Sequence, residues 1–224
     1  MTREGLKAML SDIELEVELT RHWIGKPALN PRVIAAMTRV PRQRFLPPDM
    51  AHLAFRNGPV PIGHGQTISQ PYIVALMTDL LEPEADDVVL EIGTGSGYQA
   101  AVLAELVKQV YTIEIISPLA EEASVRLAEM NYRNVEVRHA DGYQGWPEHA
   151  PYDGIIVTAA APHIPQPLID QLKPGARLVI PVGRAGWTQE LQVVEKTAEG
   201  ALHTRNVLAV AFVPLTGSHA DQAD

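Results

Sequence analysis

The sequence predicts an α/β fold, a doubly wound and mostly parallel sheet with helices on both faces. Strand-like and helix-like segments alternate through the middle of the chain, which is the arrangement of βαβ units in a parallel sheet. Two further strand-like segments, residues 190–196 and 203–213, follow each other without a crossover long enough to keep them parallel. At least one late strand is therefore predicted to be antiparallel.

The spacing of apolar residues predicts the individual elements of this sheet. Before the late pair, strands are predicted at residues 88–92, 110–115, 135–137, 154–157 and 177–181. Helices are predicted between them at residues 98–108, 119–130 and 167–172. Another helix is predicted over residues 70–82, and Ser69 is expected to cap its start.

The N-terminal part of the chain has the pattern of surface helices. Residues 3–22 mix charged and apolar side chains at helical spacing. Asn30 followed by Pro31 predicts the start of a second helix, which continues over residues 33–40. Residues 58–65 hold two prolines and three glycines and are predicted to be loop or short extended chain. We therefore predict an N-terminal helical cap at 1–59 packed on a main domain at 60–216, followed by a tail at 217–224.

The composition limits the classes of function. The 224 residues are 46% apolar and 20% charged, as in a globular protein with a sizeable core. The net charge of −9 gives no general attraction to DNA, RNA or anionic lipid. The absence of cysteine excludes disulfides, thiolate nucleophiles and cysteine-based zinc sites. No signal peptide or membrane-spanning segment is predicted, so we expect a cytoplasmic protein with neither a nucleic-acid nor a membrane partner.

Three glycines, Gly93, Gly95 and Gly97, follow the predicted strand 88–92 and open the next helix. Glycine permits a tight turn there and lets a ligand approach the backbone. Glu114 ends the next strand about 20 residues later, where such folds bind the ribose hydroxyls of a nucleoside. The alternative is a plain strand-to-helix turn with Glu114 as a solvated strand end.

The glycine spacing also discriminates between ligands. The dinucleotide fingerprint is G-x-G-x-x-G, whereas here the third glycine comes one residue early and Tyr98 stands where a small residue is expected. This favours a nucleoside without a pyrophosphate. Asp141 and Gly142 follow the third strand, where an acid and a glycine can hold an adenine edge, although an ordinary Asp-Gly turn is the alternative.

A run rich in hydroxyl and amide groups, residues 63–71, precedes the predicted sheet. For Ser69 the alternative to a functional role is helix capping. Gln66 and Thr67 are less easily explained as caps. His64 is interpreted as a loop histidine rather than a catalyst.

Two motifs resemble those of the protein-L-isoaspartate (D-aspartate) O-methyltransferases: residues 65–71, GQTISQP, and residues 89–98, VLEIGTGSGY. The glycine loop is shared by many methyltransferases, whereas the run 66–71 is much more specific and favours this family. Further similarity extends over nearly the whole chain, at residues 40–45 (VPRQRF), 152–160 (YDGIIVTAA), 172–175 (LKPG) and 212–215 (FVPL).

The resemblance implies a Rossmann-like, S-adenosylmethionine-dependent methyltransferase fold. The implied reaction is methyl transfer to the free α-carboxylate of L-isoaspartyl residues in damaged proteins, with S-adenosylhomocysteine as product, which initiates repair through a succinimide. Ser69 would be the active-site hydroxyl, and Gln66 and Thr67 would also contact the substrate. The positions implied for the cofactor are Gln66, Thr67, Ile68, Glu91, Gly93, Gly95, Gly97, Glu114, Asp141, Gly142 and Thr216.

The chemistry of this reaction suits the residues available. A carboxylate with a pKa near 4 is ionised at pH 7 and needs no general base. The electrophile is a sulfonium methyl group, so we expect no metal, and we expect the protein to act as a monomer. What remains is to align the reacting atoms, a task for neutral hydroxyls such as those of Thr67 and Ser69.

Two other functions were compared with this one. The first is a methyltransferase for small molecules or nucleic acids. Base N-methyltransferases carry an Asn/Asp-Pro-Pro-aromatic turn after the fourth strand, whereas residues 158–163 are TAAAPH, and a small carboxylic acid remains an alternative substrate. The second is a non-catalytic domain that keeps the fold, against which the intact runs at 66–69 and 93–97 argue.

Overall fold

The computed structural model describes residues 3–184 and 187–217, so residues 218–224 of the predicted tail lie outside the described residues. The helices are α1 (Arg3–Ile24), α2 (Pro31–Arg39), α3 (Pro71–Leu81), α4 (Tyr98–Ala104), α5 (Ser117–Glu129) and α6 (Gln166–Asp170). The strands are β1 (Val60–Gly63), β2 (Gln66–Ile68), β3 (Val88–Ile92), β4 (Gln109–Glu114), β5 (Val135–His139), β6 (Tyr152–Val157), β7 (Leu172–Val182), β8 (Gln189–Lys196) and β9 (Leu202–Val210).

Strands β3 to β9 form one sheet in the order β5-β4-β3-β6-β7-β8-β9. The strands from β5 to β7 in this order are parallel, and β8 runs antiparallel to both β7 and β9. The predicted mostly parallel sheet with a late antiparallel strand is therefore confirmed. From β3 the chain builds outward to β5 and then returns to β6 on the other side of β3. The carboxyl ends of β3 and β6 thus form a topological switch point, where open α/β sheets bind ligands.

The N-terminal helices pack on the sheet domain mainly against α3. Helix α1 contacts α3 and β9, and buries Met9, Ile13 and Val17 along one face. Asn30 caps α2, accepting the N–H of Arg32 at 2.9 Å. The N–H of Asn30 in turn donates to the buried carboxylate of Asp79 on α3 at 2.6 Å. The domain boundary at residue 59 stays a prediction. No helix within residues 3–184 and 187–217 is long and apolar enough to cross a membrane.

The proline- and glycine-rich segment forms a short hairpin of β1 and β2. His64 and Gly65 connect the strands with φ values of 52° and 71°, and positive values at both positions are typical of a type I′ turn. His64 is exposed there, consistent with its interpretation as a loop residue. The second strand of the hairpin contains residues 66–68, and Ser69 follows it directly.

Helix α3 begins at Pro71 with Gln70 before it, so the predicted capping role of Ser69 is wrong. Gln70 makes no side-chain capping bond either. Proline at the first helical position has no N–H, which leaves one donor fewer for a cap to satisfy. The capping alternative for Ser69 is thereby removed.

Three other predicted boundaries, the end of α4, the start of β7 and the end of α6, differ because tertiary contacts set them. Helix α4 ends at Ala104 rather than at 108, because the N–H groups of Lys108 and Gln109 donate to the carbonyl of Asp87 and direct the chain into β4. Strand β7 begins at Leu172, opposite Tyr152 of β6, so it starts before the predicted 177 and α6 ends at Asp170.

Strand β9 ends at Val210 rather than at 213. The N–H of Phe212 donates instead to the side-chain oxygen of Gln189 at 2.6 Å. The next carbonyl, that of Val213, accepts from the N–H of Ala160 at 2.8 Å. The chain thus leaves the sheet edge and crosses to the carboxyl ends of the parallel strands.

Candidate active site

Three cavities lie at the carboxyl edge of the sheet, around the switch point. The glycine-loop cavity is lined by Gly93, Gly95, Glu114, Gly142 and Thr216, among others. The serine cavity, of about 560 Å³, is bounded by α1, Ser69, the start of α3 and residues 208–213. The smaller junction cavity lies between residues 67–69 and the glycine loop.

The glycine loop needs its first glycine for two separate reasons. Gly93 has φ of 94°, which disfavours any side chain, and a Cβ there would lie 2.5 Å from Oγ1 of Thr158. The hydroxyl of Thr158 donates to the carbonyl of Gly93 at 2.6 Å and holds the peptide in place. No side chain therefore covers the Gly93 backbone where it lines the glycine-loop cavity, so a ligand can approach it closely.

Glu114 is held at the end of β4 with both carboxylate oxygens oriented by backbone donors. Its Oε2 accepts from the N–H of Gly95 at 2.8 Å, and its Oε1 accepts from the N–H of Ile116 at 2.9 Å. The residue is only 6% exposed. Each oxygen keeps a further lone pair, so the carboxylate can accept two more hydroxyl groups from a ligand in the cavity.

Glu91 is a second buried acid, inside β3. Its Oε2 accepts from the hydroxyl of Thr112 at 2.7 Å, and that hydroxyl lies 2.7 Å from the one on Thr94. Within the described part of the chain, Oε1 has no hydrogen-bond partner. Burial raises the pKa of Glu91 to about 8, against the opposing effect of the Thr112 hydrogen bond. Glu91 is therefore protonated at neutral pH in this structure.

Ser69 lies where the serine cavity and the junction cavity meet. Its carbonyl accepts from Nη2 of Arg42 at 2.9 Å. Its hydroxyl makes no hydrogen bond to any residue in the described ranges, so it is available to a ligand in either cavity.

The structure brings most of the sequence-predicted residues together. Those lining the glycine-loop cavity are Gln66, Thr67, Gly93, Gly95, Glu114, Gly142 and Thr216. Those added by the junction cavity are Ile68, Ser69 and Glu91. The predicted roles in binding and catalysis stay predictions, but ten of these side chains or backbones line two adjoining cavities.

Two predicted residues do not line these cavities. Gly97 packs against α5, where a Cβ would lie 3.2 Å from Leu127, so its lack of a side chain serves helix packing. Asp141 accepts from the N–H of Tyr143 at 3.0 Å and caps the 3₁₀ helix Gly142–Gln144. Neither residue lines a cavity, but each is next to one that does: Gly97 follows Ser96, and Asp141 precedes Gly142.

Thr158 is a central residue of the site that the sequence did not predict. It follows β6 directly and, like Thr67, lines all three cavities. The rule that the carboxyl ends of parallel strands meet at one edge would have found it. These two threonines form a wall shared by the glycine-loop cavity and the serine cavity.

The arrangement favours positioning over acid–base chemistry. Among the residues of the described chain that line the three cavities, none is a lysine, arginine or histidine. Ser69 therefore has no histidine base beside it, as a nucleophilic serine would require. The site offers neutral hydroxyl donors, bare backbone and three carboxyl groups, from Glu16, Glu91 and Glu114.

Comparison with known proteins identifies the family. The sequence model of the protein-L-isoaspartate(D-aspartate) O-methyltransferase (PCMT) family matches residues 18–220. The chain is 59% identical over 211 residues to protein-L-isoaspartate O-methyltransferase 2 of Syntrophobacter fumaroxidans, covering 94% of this chain and 85% of that protein.

Solved structures agree with the sequence comparisons. A protein-L-isoaspartate O-methyltransferase superposes with a TM-score of 0.78 at 25% identity, over 92% of this chain and 66% of that one. A beta-aspartate methyltransferase (PCMT) from Plasmodium falciparum, in complex with S-adenosyl-L-homocysteine, superposes with a TM-score of 0.73 at 23% identity, over 92% of this chain and 97% of that one. The predicted fold class and the resemblance of the two motifs are confirmed: the chain belongs to the protein-L-isoaspartate(D-aspartate) O-methyltransferase family.

Proposed function

We propose that this chain transfers a methyl group from S-adenosylmethionine to the free α-carboxylate of L-isoaspartyl residues in damaged proteins. The observation that carries the proposal is the wall formed by Thr67 and Thr158, which is common to the glycine-loop cavity and the serine cavity. A methyl donor in the first cavity and a carboxylate in the second would meet at this wall.

The residues of the glycine-loop cavity fit the methyl donor. When bound, S-adenosylmethionine supplies an electrophilic methyl group on a sulfonium. Gly93 and Gly95 offer bare backbone, and Glu114 offers oriented oxygens to the ribose hydroxyls. A Cβ at Gly142 would lie 2.4 Å from Ile92, so this side of the cavity is also closed by backbone alone. The bound S-adenosyl-L-homocysteine of the Plasmodium relative supports this use of the cavity.

The serine cavity fits a polypeptide that carries the acceptor. It combines the hydroxyl-bearing side chains of Ser69 and Thr67 with apolar groups such as Ile73, Leu208 and Phe212. The hydroxyls of Ser69 and Thr67 would donate to one oxygen of the isoaspartyl carboxylate and leave the other to attack. Neutral donors orient the carboxylate and quench its nucleophilicity less than a cationic clamp would.

Methylation prepares the substrate for a step that needs no residue of this chain. The backbone amide nitrogen that follows the isoaspartyl residue attacks the ester carbonyl, loses its proton and expels methanol. The resulting succinimide hydrolyses at either carbonyl, which returns a share of normal aspartyl residues. The enzyme therefore initiates repair rather than completing it.

The test is transfer of a labelled methyl group to an isoaspartyl peptide, with the aspartyl isomer and a simple carboxylic acid as controls. We expect base-labile label, released as methanol, with the isoaspartyl peptide alone. Equal labelling of the simple acid would favour a small-molecule methyltransferase. Donor binding by calorimetry without methanol release from any acceptor would favour a non-catalytic domain.

We further propose that the protein acts as a monomer in the cytoplasm and needs no metal. Within the described ranges, no group of three or more His, Asp or Glu side chains could hold a metal ion. Because a sulfonium methyl group is already electrophilic, activity should survive dialysis against a chelator, and a loss restored by one divalent metal would contradict this. Light scattering at assay concentration measures the oligomeric state.

A further inference from the structure

Arg42 is a buried cation beside the active site, in the 3₁₀ helix Arg42–Phe45. It is 1% exposed. Its Nε donates to the carbonyl of Ala54 and its Nη2 to the carbonyl of Ser69, both at 2.9 Å. The guanidinium carbon lies 4.9 Å from the ring centroid of Tyr98, the first residue after the glycine loop. One side chain thus joins the N-terminal segment, Ser69 and the start of α4.

The charge of Arg42 is not balanced by an acid. No carboxylate of the described residues forms an ion pair with it, and its Nη1 has no hydrogen-bond partner among them. Carbonyl oxygens and an aromatic face compensate a buried guanidinium only in part. Burial lowers the pKa of Arg42, but an arginine stays protonated in proteins. A buried charge without a counter-ion is costly, so its retention calls for a function.

The surroundings of Ser69 would otherwise repel an anionic substrate. The charged side chains lining the three cavities, among the described residues, are acids only, and the whole chain carries −9. Arg42 donates directly to the carbonyl of Ser69, the same residue that lines the serine cavity. Its positive potential therefore reaches the place where the carboxylate would lie.

We propose that Arg42 is a positioning residue whose buried charge, acting through the Ser69 peptide, selects the ionised carboxylate of the substrate. The inference rests on the proposed function. A cation in direct contact would attract the carboxylate more strongly but would also reduce its nucleophilicity. Placed behind the peptide, the charge favours binding of the anion and leaves its oxygen lone pairs free for attack.

The test separates charge from packing by comparing two ligands and two variants. The ligands are an isoaspartyl peptide and its analogue with the α-carboxylate replaced by a neutral carboxamide, each titrated in the presence of S-adenosylhomocysteine. Arg42→Gln keeps N–H donors and removes the charge, whereas Arg42→Lys keeps the charge and removes the planar fork. We expect the preference for the carboxylate over the carboxamide to fall about tenfold in Arg42→Gln and to persist in Arg42→Lys.

Arg44→Gln is the matched control. It makes the same change of charge in the same 3₁₀ helix, but the Arg44 side chain is 51% exposed and should leave the preference unchanged. If Arg42→Gln weakens both peptides equally, the residue is only structural and the proposal is overturned. If the wild-type protein binds neither peptide, the proposed function itself fails and this inference fails with it.

A second measurement decides the matter if Arg42→Gln does not fold. The carboxyl pKa of an isotope-labelled isoaspartyl peptide is measured by NMR, free and bound to the wild-type protein with S-adenosylhomocysteine. A positive potential at the site lowers the bound pKa. A bound pKa equal to or above the free value would overturn the proposal.

Discussion

Ser69 lines two cavities and its hydroxyl makes no hydrogen bond within the described chain, so we expect it to be the most sensitive single residue of the site. We expect Ser69→Ala to lower kcat by roughly 10- to 100-fold, the effect of losing one hydrogen bond to a charged group. Affinity for S-adenosylmethionine should change little, because Ser69 does not line the glycine-loop cavity. Steady-state kinetics and calorimetry measure the two effects, with the exposed Ser11→Ala as control. A parallel loss of donor affinity would instead make Ser69 a cofactor ligand.

Glu114 should show the opposite pattern. In Glu114→Gln one carboxylate oxygen becomes an NH₂ group, which faces the N–H of either Gly95 or Ile116 and cannot accept from it. The loop end loosens and one acceptor for ribose is lost, so the dissociation constant of the donor should rise roughly tenfold or more. Glu121→Gln makes the same change on the exposed side of α5 and should have no effect. Unchanged donor affinity in Glu114→Gln would refute the ribose assignment.

At the scale of elements, the turn between β3 and α4 depends on the fit between Gly93 and Thr158. Gly93→Ala adds a Cβ 2.5 Å from Oγ1 of Thr158 as well as backbone strain, whereas Gly175→Ala, at φ of 84°, meets nothing within 4 Å. Both variants should lose about 1–2 kcal/mol of stability from the left-handed backbone. Only Gly93→Ala should also lose donor affinity. Adding Thr158→Ala removes the clashing atom and should restore part of that affinity, as calorimetry would detect; no recovery would mean that strain alone disrupts the loop.

Glu91 of β3 is buried and accepts a hydrogen bond from Thr112 of β4. Its burial predicts that the stability of the protein depends on pH. Burial raises the pKa of Glu91 to about 8 from an ordinary value of 4.5, so the folded protein holds the proton more tightly than the unfolded chain. This contribution to stability is complete below the unfolded pKa and is lost as pH rises to the folded one, by at most about 1.4 kcal/mol per pH unit. Relative to Glu91→Gln, the wild-type protein should lose free energy of unfolding between about pH 5 and pH 8 in urea titrations. A difference independent of pH would contradict the buried, protonated state.

The elements that could be predicted from sequence are those decided by local pattern. Buried strands such as β3 and the Pro31 start of α2 follow from apolar runs and capping chemistry. The predictions for the end of α4, the start of β7 and the end of β9 are wrong because distant groups set these boundaries. Examples are the carbonyl of Asp87 and the side chain of Gln189. Local pattern carries no information about such partners.

At the scale of the whole molecule, the same distinction applies to the site. The motifs locate the residues that follow β3, β4 and β5, because these lie on continuous runs of sequence. Arg42 lies in the motif at residues 40–45, but the motif did not predict its role, since its contacts with Ala54, Ser69 and Tyr98 come from three separate segments. Only the packing of the N-terminal region on the sheet brings them together.

The net charge of −9 predicts how the whole protein selects among damaged substrates. Its field attracts basic polypeptides and repels acidic ones over about a Debye length, whatever the buried charge at the site does locally. We expect a lysine-flanked isoaspartyl peptide to have a several-fold higher kcat/KM at low salt than a glutamate-flanked peptide of equal length. Raising ionic strength from about 0.02 to about 0.3 M should lower the first value and raise the second until they converge, because salt screens exposed charges. If both values move in the same direction, preference is set by contacts in the serine cavity and not by the field of the protein.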